Sequence, residues 1–103
     1  MSVERPVLYI CIRCDGGERL FDDVRALRKE QGLKELFKVE DVNCLKNCDD
    51  PIAIEFSGKK RSTYSRIDVR KKEADVVVAA AVAYASLEPG EELRERELPG
   101  KEE

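Results

Sequence analysis

The feature that most constrains this 103-residue chain is its four cysteines, which stand in two close pairs. Cys11 and Cys14 form a C-x2-C pair, and Cys44 and Cys48 form a C-x3-C pair that lies 29 residues beyond the first. The chain contains no His, so a transition-metal site in it has to use thiolates or carboxylates. For the same reason, acid–base or triad chemistry that relies on His is excluded.

The expected cellular compartment favours metal binding over structural disulfides. No stretch resembles an export signal, and the longest apolar run, Val76–Ala85, has ten residues, half of what a membrane-spanning helix needs. We therefore expect a cytoplasmic protein with no membrane contact. Because thiols stay reduced in that compartment, four cysteines in two pairs indicate a metal centre.

Charge divides the chain into a body and a tail. Residues 88–103 contain two Pro-Gly pairs and carry seven acidic residues against three basic ones, which predicts a charged, flexible tail. Residues 1–87 are expected to form one domain. Seven basic residues lie between Lys59 and Lys72, as either a binding patch or ordinary solvated charge. The overall charge of −3 does not indicate a nucleic-acid partner.

Hydropathy patterning predicts the element order β-α-β-β-β-α. The predicted elements are a strand at Val7–Ile12, a helix from Glu18 that ends at Gly32, a strand at Leu36–Val42, a hairpin of Pro51–Phe56 with Arg61–Ile67, and a last helix from about Arg70 to Leu87 that Asp68 caps. The first two strands should be parallel, joined by a right-handed crossover. We therefore expect an α/β domain with a mixed four-stranded sheet and two helices.

This topology brings the two cysteine pairs together. Cys11 lies near the carboxyl end of the first strand and Cys44 just past the end of the second, and parallel neighbours end at the same edge of a sheet. Cys44 and Cys48 are four residues apart, so on a helical turn their Cβ atoms would be roughly 5–6 Å apart. That distance exceeds the roughly 3.5–4.5 Å of a disulfide, so a metal or cluster bridges the pair better.

The residues alone leave several interpretations of the cysteines open. Cysteine is often a small buried hydrophobe. A thiol–disulfide enzyme acting through Cys11 and Cys14 would need Cys11 exposed at a helix N-terminus, whereas Cys11 lies inside an apolar strand. Zinc is a further alternative. Against it, C-x3-C departs from the usual zinc knuckle, and the predicted helices and strands can bury a core without a metal to fold them. An iron–sulfur cluster on four thiolates is therefore favoured.

Residues 43–69, NCLKNCDDPIAIEFSGKKRSTYSRIDV, resemble the second half of thioredoxin-like [2Fe-2S] ferredoxins. That half has a C-x3-C pair, a proline, a short strand, a hairpin, Tyr-x-x-Val/Ile and a last helix, matched here by Cys44, Cys48, Pro51, Tyr64 and Ile67. The opening LYICIRC and the Gly-Gly pair after it look like the first strand and helix of that family. The C-x2-C spacing is shorter than in those ferredoxins, and it is closest to a related group of small, largely uncharacterised predicted metal-binding proteins.

The resemblance covers residues 7 to about 87 and implies a thioredoxin-like fold. It also implies a [2Fe-2S] cluster on Cys11, Cys14, Cys44 and Cys48, one-electron exchange with a redox partner protein, and compatibility with a homodimer. The resemblance thus implies an electron carrier or a metal-binding protein and does not imply an enzyme. The alternatives are a protein that binds or delivers zinc or another soft metal with the same four cysteines, and a thiol–disulfide oxidoreductase that uses Cys11 and Cys14.

Overall fold

The computed structural model describes residues 5–13, 16–43, 52–58, 62–88 and 90–102. Its helices and strands are β1 (Val7–Cys11), α1 (Gly17–Glu30), β2 (Lys38–Val42), β3 (Ile54–Ser57), β4 (Tyr64–Ile67), α2 (Ala74–Ala85) and β5 (Lys101–Glu102). Short 3₁₀ turns lie at Lys71–Glu73 and Glu95–Glu97. The α/β class and the succession of the first six elements are confirmed. None of the described helices is long and apolar enough to cross a membrane.

The predicted strands form a mixed sheet in the order β2-β1-β3-β4. β1 and β2 are parallel, as the intervening helix predicts, whereas β3 runs antiparallel to both β1 and β4. The short β5 joins the outer edge of β4 in antiparallel orientation. β2 lies at the opposite edge and exposes Lys38, Glu40 and Asp41, and such charged side chains discourage pairing with another chain.

The core lies between the sheet and the two helices, which pack against each other. α1 buries Leu20 and Val24, whereas α2 is apolar on most sides. Tyr84 of α2 places its ring centroid 5.7 Å from that of Phe56 and 5.9 Å from that of Tyr64. Its hydroxyl donates a 2.8 Å hydrogen bond to the carbonyl of Ser62. These contacts fix α2 over β3 and β4, and α1 lies against β1 and β2.

Several element ends differ from the sequence prediction, and two of these differences have a clear local cause. β2 begins at Lys38 instead of Leu36, because residues 33–36 form a turn in which the Leu36 N–H bonds to the Leu33 carbonyl. Asp68 does not cap the last helix: it has a φ of 57° and pairs with Lys101 at 3.7 Å. The helix is instead preceded by the 3₁₀ turn, whose Glu73 carboxylate accepts the Arg70 N–H.

The expected flexible tail is not what the structure shows for its described part, residues 88 and 90–102. Leu93 and Leu98 are each only 9% exposed, and β5 pairs with β4. Arg66 is 2% exposed, and its guanidinium donates hydrogen bonds to the carbonyls of Pro99 (2.8 Å) and Gly100 (3.0 Å). Because a buried cation needs acceptors, these carbonyls make the segment part of the domain, which therefore does not end at residue 87.

Candidate metal centre

Cys11 is the last residue of β1, and its side chain is fully buried (0% exposed). Its backbone N–H donates a 3.0 Å hydrogen bond to the carbonyl of Ala53, next to β3. On the other side it is in parallel register with Val42, and the following N–H, of Ile12, donates to the Val42 carbonyl at 2.9 Å. Backbone hydrogen bonds therefore hold the carboxyl ends of β1 and β2 side by side.

The Cys11 thiol points toward the chain that leaves β2. Its Sγ atom lies 3.8 Å from the carbonyl oxygen of Asn43, to which it donates a hydrogen bond. Asn43 immediately precedes Cys44, and the Cα atoms of neighbouring residues are about 3.8 Å apart. The structure thus brings Cys11 next to the residue that precedes the second cysteine pair. Cys14, Cys44 and Cys48 themselves lie outside the described residues.

The first turn of α1 lies directly against the end of β1. A Cβ atom at Gly17, the first residue of α1, would be 2.0 Å from the carbonyl oxygen of Cys11. Only glycine permits such a close approach. The first N–H groups of a helix have no intrahelical acceptor and carry partial positive charge. α1 therefore places the partial positive charge of its N-terminus beside Cys11. This charge favours the negatively charged thiolates that are expected there.

We expect Gly17→Ala to lower the free energy of unfolding by about 1–3 kcal/mol, because the added methyl group must push α1 away from β1. Urea denaturation followed by circular dichroism measures this loss. Glu18→Ala is the matched control, since the neighbouring side chain is exposed in the same helical turn and its removal leaves the contact with Cys11 intact. Equal stability of the two variants would contradict the close packing of Gly17.

Basic side chains flank the start of α1. The stem of Lys71 packs at Gly16, with its Cβ and Cδ atoms 3.4 and 3.5 Å from the position of a Cβ there. Lys71 is exposed, as are its neighbours Arg70 and Lys72. Arg66, another member of the predicted basic segment, is buried under the C-terminal segment and adds no exposed charge to it. Lys59, Lys60 and Arg61 lie outside the described residues.

Within the described ranges, no group of three or more Cys, Asp and Glu side chains is close enough to hold a metal ion. The four-cysteine ligand set therefore stays a prediction. Two contacts that shape this region, with the carbonyls of Asn43 and Ala53, leave no signal in the sequence because both acceptors are backbone atoms. The Gly16-Gly17 pair marked a turn, but not the close approach of α1 to Cys11.

The chain belongs to a family described as "Protein of unknown function (DUF1636)", whose family model matches residues 9–101. The match begins within β1 and ends in β5, so it includes both cysteine pairs and the C-terminal segment. Comparison with curated proteins and with solved structures gives no match. The extent of the family match agrees with the packing of residues 90–102 as part of the domain.

Proposed function

We propose that this protein is a [2Fe-2S] ferredoxin-like one-electron carrier with a thioredoxin-like fold, and that Cys11, Cys14, Cys44 and Cys48 hold its cluster. One observation carries the proposal: the Cys11 Sγ atom lies 3.8 Å from the carbonyl of the residue before Cys44. This contact lies where the parallel strands β1 and β2 end together. The β-α-β unit followed by the β3–β4 hairpin and α2 supports the thioredoxin-like fold.

The surroundings of Cys11 suit such a centre. A donor set of four thiolates without His is the ordinary ligand set of [2Fe-2S] clusters. Burial keeps water away from the Cys11 sulfur, and the first turn of α1 supplies N–H groups that favour negative charge. The Cys11 thiol donates a hydrogen bond to the Asn43 carbonyl, and ligation requires that the thiol lose this proton, because the ligand is the thiolate.

When bound, a [2Fe-2S] cluster would accept and release one electron at this edge of the sheet. The chain's own residues position and shield it, and the exposed Arg70, Lys71 and Lys72 add positive charge beside the start of α1. Opposite charge across an interface speeds association and selects partners. We therefore propose that the redox partner presents an acidic surface to this region.

A zinc or other soft-metal protein with the same four ligands is the principal alternative. Burial of Cys11 counts against the thiol–disulfide enzyme, because a nucleophilic first cysteine has to be exposed. Anaerobic purification, a visible spectrum and analysis of iron, sulfide and zinc distinguish these functions. Two irons and two sulfides per chain support the electron carrier, whereas one tightly bound zinc without visible absorbance supports the alternative.

We expect the reconstituted cluster to have a midpoint potential on the order of −200 to −450 mV, nearer plant-type ferredoxins than Rieske centres. Two ferric ions, two sulfides and four thiolates give an oxidised centre that is already anionic, which disfavours reduction. The chain has no His to replace a thiolate, and this replacement is what raises the potential of Rieske centres. Protein-film voltammetry measures the value, and the absence of a reversible one-electron wave in this range contradicts the proposal.

A further inference from the structure

A basic pocket lies toward the other end of α1. Its volume is about 320 Å³, and it is lined by Asp22, Arg25, Ala26, Arg28, Lys29 and Lys34. Four cations thus face one carboxylate. At 1.5 Å per residue, Arg28 lies roughly 16 Å along the helix from Gly17, so the pocket is separate from the edge that carries Cys11.

No ion pair with a carboxylate of the described residues neutralises the cations of this pocket. Among the described residues, no carboxylate lies within 4.0 Å of the four side-chain cations. The Arg25 guanidinium lies instead over the Phe21 ring, 5.4 Å from its centroid. Arg5 adds a fifth cation nearby, since its guanidinium donates a hydrogen bond to the Lys34 carbonyl. Uncompensated positive charge is therefore concentrated here.

Arg28 is the partly buried member of the group. Its Nη1 donates a 2.9 Å hydrogen bond to the Phe37 carbonyl, whereas its Nε is buried and has no hydrogen-bond partner in the described structure. Burial lowers the pKa of Arg28, and the charges of Arg25 and Arg5 lower it further. A buried N–H without an acceptor is unfavourable, and an anion bound nearby would relieve the repulsion.

The helix dipole explains only part of this arrangement. Cations in the last turn of a helix, here Arg28 and Lys29, are stabilised by the helix C-terminus. Arg25 lies about a turn earlier, Lys34 follows the helix, and Arg5 precedes β1. The dipole gives no reason for Arg25 and Lys34 to line one concavity with Arg28, with Arg5 close by at the Lys34 carbonyl.

We propose that this pocket binds the phosphate group of a small ligand, with Arg25, Arg28 and Lys34 as its principal contacts. Guanidinium groups match phosphate oxygens in geometry and charge. The volume is at the lower end of the range for small-molecule sites, which fits a phosphate with a small organic group. The proposal does not depend on the metal centre.

Titration of the full chain, followed by ¹H–¹⁵N NMR, tests this site. The probes are inorganic phosphate, pyrophosphate and ribose 5-phosphate, each compared with sodium chloride at equal ionic strength. We expect saturable shifts of the Arg28 Nε–H signal, assigned with Arg28→Lys, and of backbone amides in 25–34. Tighter binding of ribose 5-phosphate than of inorganic phosphate indicates an organic phosphate as the ligand, and the reverse order indicates a free anion.

Substitutions at exposed residues separate this site from general charge attraction. Arg25→Gln and Lys34→Gln change exposed side chains and should each weaken phosphate binding about fivefold or more, whereas Arg94→Gln, an exposed arginine outside the pocket, should change it less than twofold. Circular dichroism verifies that each variant folds. Shifts that do not saturate, or equal weakening in Arg94→Gln, overturn the proposal.

Discussion

Cys11→Ser is expected to lower the iron and sulfide content per folded chain by about tenfold or more. Serine is close to cysteine in size, so the substitution disturbs the packing around position 11 little while the thiolate ligand is lost. Loss of a ligand weakens metal binding at least as much as loss of the outer contacts that orient it, which costs about 10–100-fold. Metal and sulfide analysis with the visible spectrum of anaerobically purified protein measures the change.

The control for this experiment has to separate ligation from stability, because Cys11 is also a core residue. Ala53→Ser introduces a hydroxyl at a neighbouring buried position without removing a thiol, so it should keep its cluster. Cys44→Ser and Cys48→Ser should lose the cluster most completely, with Cys14→Ser also affected. Full occupancy and an unchanged spectrum in Cys11→Ser would show that Cys11 serves packing alone, and the four-thiolate proposal would be wrong.

The proximity of Cys11 to the residue before Cys44 was predictable from the sequence, because it depends on the topology that places the carboxyl ends of β1 and β2 side by side. Two strands joined by an amphipathic helix are expected to be parallel in one sheet, and the pairing of Cys11 with Val42 agrees with that arrangement. The close approach of Gly17 to Cys11 was not predictable. It depends on the distance between a helix and a strand, which no periodicity encodes.

The C-terminal segment shows where sequence patterns fail. Leu93 and Leu98 are isolated apolar residues among charges and Pro-Gly pairs, a composition that predicts a solvated chain. What orders the segment is Arg66, which looks like one more surface cation in a basic hairpin. In the structure its guanidinium is buried and binds the Pro99 and Gly100 carbonyls, so a long-range contact overrides local composition.

Truncation after Leu87 is therefore expected to lower the free energy of unfolding by at least about 4 kcal/mol. Removal of Leu93 and Leu98 exposes apolar surface worth about 1.5–3 kcal/mol for each buried side chain. Truncation also removes the two tail carbonyls to which the Arg66 guanidinium donates, and a hydrogen bond to a charged group contributes about 1.5–3 kcal/mol. Since a small domain has only about 5–15 kcal/mol in total, the truncated chain should melt far below the full chain or fail to fold.

A matched pair of glycines tests the docked segment without deleting it. Gly90 and Gly100 both have positive φ, 90° and 65°, so alanine brings backbone strain at either position. Only at Gly100 would the new Cβ meet other atoms, 2.2 Å from the Ile67 carbonyl oxygen and 2.8 Å from a Val69 methyl, whereas nothing lies within 4 Å at Gly90. Gly100→Ala should therefore lower the melting temperature several degrees more than Gly90→Ala, since about 1 kcal/mol corresponds to about 4–8 °C in a domain of this size. Equal melting temperatures, together with a stable truncated chain, would show that residues 90–102 do not hold the domain together.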